Sequence, residues 1–142
     1  MVIDIRDLQG KVKIDEAKVR SCAQRVLRDM GEESAELSIL FVNDAYIKRL
    51  NSKYRDTDSK TDVLAFSMRQ GEGISRHSEI LGDVVISTQT AKREAARRKE
   101  PIQKELDLYL VHGILHLLGY DDEKPGNRKK MRAKEKELLG AI

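Results

Sequence analysis

Apolar and polar residues alternate in "VIDI" (2–5), and strand-forming residues crowd into "ELSILFVND" (36–44), "TDVLAFSM" (61–68) and "ILGDVVIS" (80–87). These four segments read as β-strands. Between them the apolar period lengthens to that of a helix. "IDEAKVRSCAQRVLRDMG" (14–31) carries Asp15 as a candidate cap and Gly31 as a stop, and "DAYIKRLNSKYR" (44–55) follows a cap at Asn43 or Asp44. The polar, glycine-containing "RQGEGISRHSE" (69–79) reads as a flexible connection between the third and fourth strands. From "STQTAKREAARRK" (87–99) onward the chain is helical. Pro101 sits where a first helical turn tolerates it, opening "IQKELDLYLVHGILHLLG" (102–119). Roughly 18 residues of helix span roughly 27 Å. The second half of this helix is apolar on nearly every face, which requires enclosure by other elements. A last helix covers about 126–138. The order predicts an α+β fold, a mixed-sheet single domain over residues 1–142 around a buried central helix.

Composition narrows the possibilities without naming one. The 142 residues (16.2 kDa) suffice for one core, and no repeat or linker marks a second domain. The opening "MVIDIRDLQGK" lacks the basic-then-apolar order of a signal peptide, and no apolar run approaches membrane-spanning length. A cytoplasmic protein with no membrane association is expected. Cys22 is the single cysteine, which excludes an internal disulfide and a cysteine-based zinc site, so any metal must use His, Asp or Glu. A net charge of +3 from 27 basic and 24 acidic residues does not announce a nucleic-acid binder. The basic runs "AKREAARRKE" (91–100) and "NRKKMRAKEKE" (127–137) can follow phosphates, but ion-paired helix faces explain them more simply. Aromatics at 4% with no tryptophan argue against a base-stacking platform.

The chemistry gathers in "VHGILHLLGYDDE" (111–123). His112 and His116 lie four residues apart, so on a helix their rings are about 40° apart around the axis and about 6 Å apart along it. Both can reach one ion. Gly119 can take the left-handed conformation that ends a helix and swings Asp122 back toward them. The spacing H-x-x-x-H-x-x-G-x-x-D reproduces a metzincin ligand set with aspartate in third place, and two imidazoles with a carboxylate are a common catalytic zinc set. Gly113 stands where a metalloprotease carries its glutamate base, which argues against peptide hydrolysis.

"HGILHLLGYDD" resembles the motif of the YbeY family of bacterial rRNA-maturation factors, H-G-x-L-H-L-x-G-Y-D-H. "LNSKYRDTDSKTDVLAFS" (50–67) is similar to that family's L-N-x-x-Y-R-x-x-D-x-x-T-D-V-L-S-F segment, and "LGDVVIS" (81–87) to its L-G-D-I-x-I-S strand. The resemblance implies a four-stranded, mostly parallel or mixed sheet with about five helices. It implies a zinc-dependent single-strand endoribonuclease acting in small-subunit (16S) rRNA 3′-end maturation and ribosome quality control. Its partners would be single-stranded RNA, small-subunit rRNA, the small ribosomal subunit and its assembly factors, with no DNA. By motif position His112 and His116 match two metal ligands, and Arg55 matches the arginine essential to activity. The chain departs from the family at Asp122, where a third histidine is usual, and Asp121 and His77 are the fallback ligands. One Zn2+ per chain is expected. Arg55 would neutralise charge developing on phosphate. Water and an RNA 2′-hydroxyl both remain open as the attacking group, since no residue of the motif is an evident general base. The competing class is a metal-stabilised RNA-binding or ribosome-assembly factor with little catalysis of its own.

Overall fold

A computed structural model describes residues 1–57, 59–69 and 78–140. The elements run β1 (Val2–Asp7), α1 (Glu16–Asp29), β2 (Glu36–Val42), α2 (Asp44–Arg55), β3 (Val63–Ser67), β4 (Ile80–Ser87), α3 (Thr88–Arg98), α4 (Ile102–Leu117) and α5 (Pro125–Gly140). Among the described residues, five helices and a four-stranded mixed sheet form a single α+β domain, as the alternating periods predict. The sheet order is β1-β2-β4-β3, with β1, β2 and β4 parallel and β3 antiparallel on the edge beside β4.

Side chains alternate across the strands and so build two cores. Ile3, Leu37, Ile39, Phe41, Val84 and Ile86 face the larger one, packed with Val19, Leu27, Leu106, Leu110 and Ile114 from α1 and α4. Val42, Leu64 and Val85 face the other side and pack with Ile47 of α2. The central helix α4 is enclosed as its apolar sequence requires. It meets β3, β4, α1, α3 and α5, and nine of its sixteen residues are buried.

The helix boundaries follow local chemistry. Asp15 caps α1 by accepting from the Lys18 amide at 3.2 Å, and Asn43 caps α2 by accepting from the Tyr46 amide at 2.8 Å. Pro101 is the extended N-cap of α4 at φ −62° and ψ 145°, one position earlier than a first-turn proline. The helix stops at Leu117. Gly119 follows at φ +98°, with the Tyr120 amide bonded to the Leu115 carbonyl and the Gly119 amide to the His116 carbonyl, each at 3.0 Å. That pair of bonds is a Schellman ending, which shortens the predicted helix by two residues. The last helix is slightly longer than its apolar pattern indicates. Residues 70–77 of the expected flexible connection lie outside the described residues, but Arg69 before them is anchored by the Glu32 carboxylate, at 2.8 Å to each oxygen, and by the Ser78 carbonyl.

The basic run of α3 is ion-paired: Arg93 with Asp44, Arg97 with Glu94, and Arg98 with the buried Glu105. Among the described residues no helix is long and apolar enough to cross a membrane.

Candidate metal centre

Two successive turns of α4 present His112 and His116 to a cleft of about 730 Å³ bounded by β3, the end of α2 and the loop after α4. Helical geometry alone places the rings on one face, where they meet edge to face at 76°. Their centroids are 4.6 Å apart and their Nε2 atoms 3.1 Å apart. The Schellman turn reverses the chain at Gly119 and returns Asp122, whose Oδ2 lies 3.7 Å from each Nε2. His112, His116 and Asp122 thus offer three donor atoms within 4.8 Å of one another, a group that can hold a metal ion.

The donor set fits zinc. Donors at about 2.0–2.1 Å from a tetrahedral ion lie roughly 3.3 Å from one another, and the observed 3.1 and 3.7 Å bracket that separation. The two fallback ligands fare differently. Asp121 lines the same cleft and is engaged in the turn, its Oδ1 accepting from the Glu123 amide at 2.7 Å and its Oδ2 from Asn127 at 3.2 Å. His77 lies outside the described residues.

Arg55 closes the other wall. It is the last residue of α2, before Asp56 turns the chain in the left-handed conformation. Its guanidinium donates to the Ala65 carbonyl of the edge strand and lies 5.4 Å over the Phe66 ring. Tyr54 packs edge-on to Phe66 at 5.6 Å and lines the same cleft. The arginine and the imidazoles come from elements remote in sequence, so the fold assembles this pairing.

Sequence reasoning missed Glu135. Its Oε1 lies 2.5 Å from His112 Nδ1, and its side chain is only 14% exposed. A signal was present: Met131 and Leu138 are the buried residues of α5, and position 135 falls on the same helical stripe at i+4. A carboxylate on an apolar stripe needs a partner. The environment also separates the two histidines. Burial works against the charged form of His112, but the Glu135 hydrogen bond and nearby carboxylates outweigh it and raise its pKa. For His116, burial and then the His112 charge lower it.

Gly113, between the histidines, packs against β4. A Cβ there would lie 2.6 Å from a Val84 methyl. The space that a metalloprotease glutamate would need is filled by the sheet.

Comparison with known proteins adds an independent line. The family model described as Endoribonuclease YbeY matches residues 4–142. A protein of Pelotomaculum thermopropionicum named Endoribonuclease YbeY is 48% identical, covering 100% of this chain and 97% of its own length. The same name is carried by a Syntrophus aciditrophicus protein, 42% identical over 98% of this chain and 88% of its own. An Aquifex aeolicus protein of that name is 41% identical over 93% and 87%. The solution structure of TM1509 from Thermotoga maritima superposes with a TM-score of 0.66 at 26% identity, covering 97% of this chain and 87% of that one.

Proposed function

The chain belongs to the YbeY endoribonuclease family and is a hydrolase acting on RNA; from this premise we propose that it is a zinc-dependent single-strand endoribonuclease of small-subunit (16S) rRNA 3′-end maturation and ribosome quality control. The observation that carries the reading is the convergence of three metal-ligating donors and an arginine on one cleft. His112, His116 and Asp122 would hold one zinc ion. The chemistry it supplies when bound is Lewis-acid polarisation of a phosphoryl oxygen and activation of water.

The protein's own groups do the rest. Arg55 meets the phosphate with a planar donor fork, so it offsets negative charge as the phosphate becomes more anionic. The edge strand braces that fork through the Ala65 carbonyl and the Phe66 face. Gly113 leaves no carboxylate base between the two histidines, which sets the site apart from a protease. The substrate is single-stranded RNA, met in the cytoplasm on small-subunit rRNA with the small ribosomal subunit and its assembly factors, and DNA is not a substrate. The relatives' shared name favours catalysis over a purely RNA-binding assembly role.

The test is metal analysis of the purified protein together with cleavage of defined single-stranded RNA, duplex RNA and single-stranded DNA. One zinc per chain and cleavage of single-stranded RNA alone are expected, both lost in His112→Ala and His116→Ala. Full zinc occupancy in the double variant, or equal cleavage of duplex and single strand, would refute it.

A further inference from the structure

The last helix reaches back to the candidate metal centre at three points. Asn127 Nδ2 donates to Asp121 Oδ2 at 3.2 Å, Arg128 Nε donates to the Asp122 carbonyl at 3.0 Å, and Glu135 meets His112 Nδ1 at 2.5 Å. The first two contacts hold the loop that carries Asp122. The third touches a candidate ligand directly, on the ring atom opposite the one aimed at Asp122 and His116.

A carboxylate only accepts, so the hydrogen between Glu135 and a neutral His112 belongs to Nδ1. The lone pair is then at Nε2, the atom that faces the other two donors. Without that contact a neutral imidazole divides itself between two tautomers, and in one of them Nε2 carries hydrogen and cannot ligate. The side chain must also stay in one rotamer for Nε2 to face the centre. Glu135 can enforce this because it is itself fixed: it shares the inward stripe of α5 with Met131 and Leu138, which are buried at 1% and 3% exposure. His112 keeps 27% side-chain exposure, so packing alone leaves its ring some freedom.

We propose that Glu135 is a positioning residue for the metal centre: it holds His112 as the Nδ1–H tautomer with Nε2 aimed at the ion, so that docking of α5 and metal affinity are one property. The inference rests on the metal-centre reading above. It assigns a role to a residue in a different element, 13 positions beyond Asp122 at the end of the ligand motif, and it makes α5 part of the site rather than a cover over the core.

The experiment measures zinc affinity by competition with a chelator in the parent, Glu135→Gln, Glu135→Ala and, as a control on the same helix, Glu137→Gln. Glu137 is 68% exposed and pairs only with Lys134 among the described contacts. Loss of such an outer partner typically weakens metal binding about 10- to 100-fold. Glu135→Ala should show a loss in that range. Glu135→Gln should fall between it and the parent, because an amide oxygen still accepts from Nδ1–H but carries no charge. Glu137→Gln should match the parent. Nitrogen NMR of the metal-free proteins, recorded at a pH high enough for both rings to be neutral, provides a reading that needs no zinc: His112 should be the Nδ1–H tautomer in the parent and a mixture of tautomers in Glu135→Ala. A glutamate that merely docks the helix would lower the melting temperature of its variants and leave zinc affinity within twofold of the parent. That result overturns the inference while the metal centre stands. A parent that binds no zinc overturns both.

Discussion

Asp122 is where this chain leaves the histidine pattern it otherwise resembles, and its Oδ2 stands 3.7 Å from both imidazole nitrogens. As one of the three candidate donors that the described residues bring together, it should matter more than any outer contact. Asp122→Ala should therefore weaken zinc by more than the ~10- to 100-fold typical of losing an outer-shell partner. Asp122→His should largely restore binding, and Asp122→Asn should fall between aspartate and alanine because a neutral amide oxygen is a poorer donor. Chelator competition measures all three. Parent-like affinity in Asp122→Ala, with a loss in Asp121→Ala, would transfer the third position to Asp121. Arg55 poses the complementary question, since it faces the cleft without coordinating. Arg55→Ala should keep its zinc and its fold and lose about 10²- to 10³-fold in kcat on single-stranded RNA, the usual cost of removing one transition-state donor. Arg55→Lys should recover little, because a point-like ammonium cannot reproduce a two-pronged contact to phosphate. Cleavage unchanged within twofold in the alanine variant would remove Arg55 from the site.

The helix α4 shows how a single element can serve the core and the site at once. Its histidines face the cleft while Gly113 between them lies against Val84, where an added Cβ would come within 2.6 Å of a methyl on a buried strand. In an open helix Gly→Ala gains up to ~1 kcal/mol of propensity. Here overpacking against a β-branched core residue should outweigh it, for a net destabilisation of about 1–3 kcal/mol seen in denaturant unfolding. An equal or higher midpoint in Gly113→Ala would show that the helix and the sheet can part freely. Much of this element was legible in sequence because its determinants are local. The i,i+4 spacing places His112 beside His116, and glycine at 119 supplies the positive φ that returns Asp122. The strands and the other helices were legible for the same reason, through period and caps. Sheet order was not, because the edge position of β3 and its antiparallel run against β4 depend on pairings between distant segments. Glu135 was only half legible: its place on the stripe of Met131 and Leu138 could be read, but a glutamate among the lysines of "RAKEKE" has no evident partner until α5 is docked on α4.

At the scale of the whole molecule, Asp44 ties together parts that the two cores leave separate. Its Oδ1 accepts from the Ser87 and Thr90 hydroxyls at 2.7 Å each, and its Oδ2 accepts from Arg93 at 2.7 Å. One carboxylate thus joins the start of α2, on one face of the sheet, to the end of β4 and the first turns of α3. Burial alone would raise its pKa, but the hydrogen bonds from Arg93, Ser87 and Thr90 and the Arg93 charge prevail and hold it at about 2, below its ordinary 3.8. A carboxyl group that is more acidic when folded stabilises the fold wherever the unfolded chain would bind more protons. Its contribution is therefore complete above about pH 4 and is lost as pH falls from there through about 2. A shift of this size corresponds to about 2 kcal/mol at neutral pH for this largely covered side chain. Asp44→Asn keeps the shape and removes the titration. Unfolding free energies of the parent and Asp44→Asn should differ by about 2 kcal/mol at pH 7 and converge as the pH approaches 2. A difference that persists unchanged through that range would mean that the hydroxyl contacts alone, and not the carboxylate's charge, hold α2 to α3.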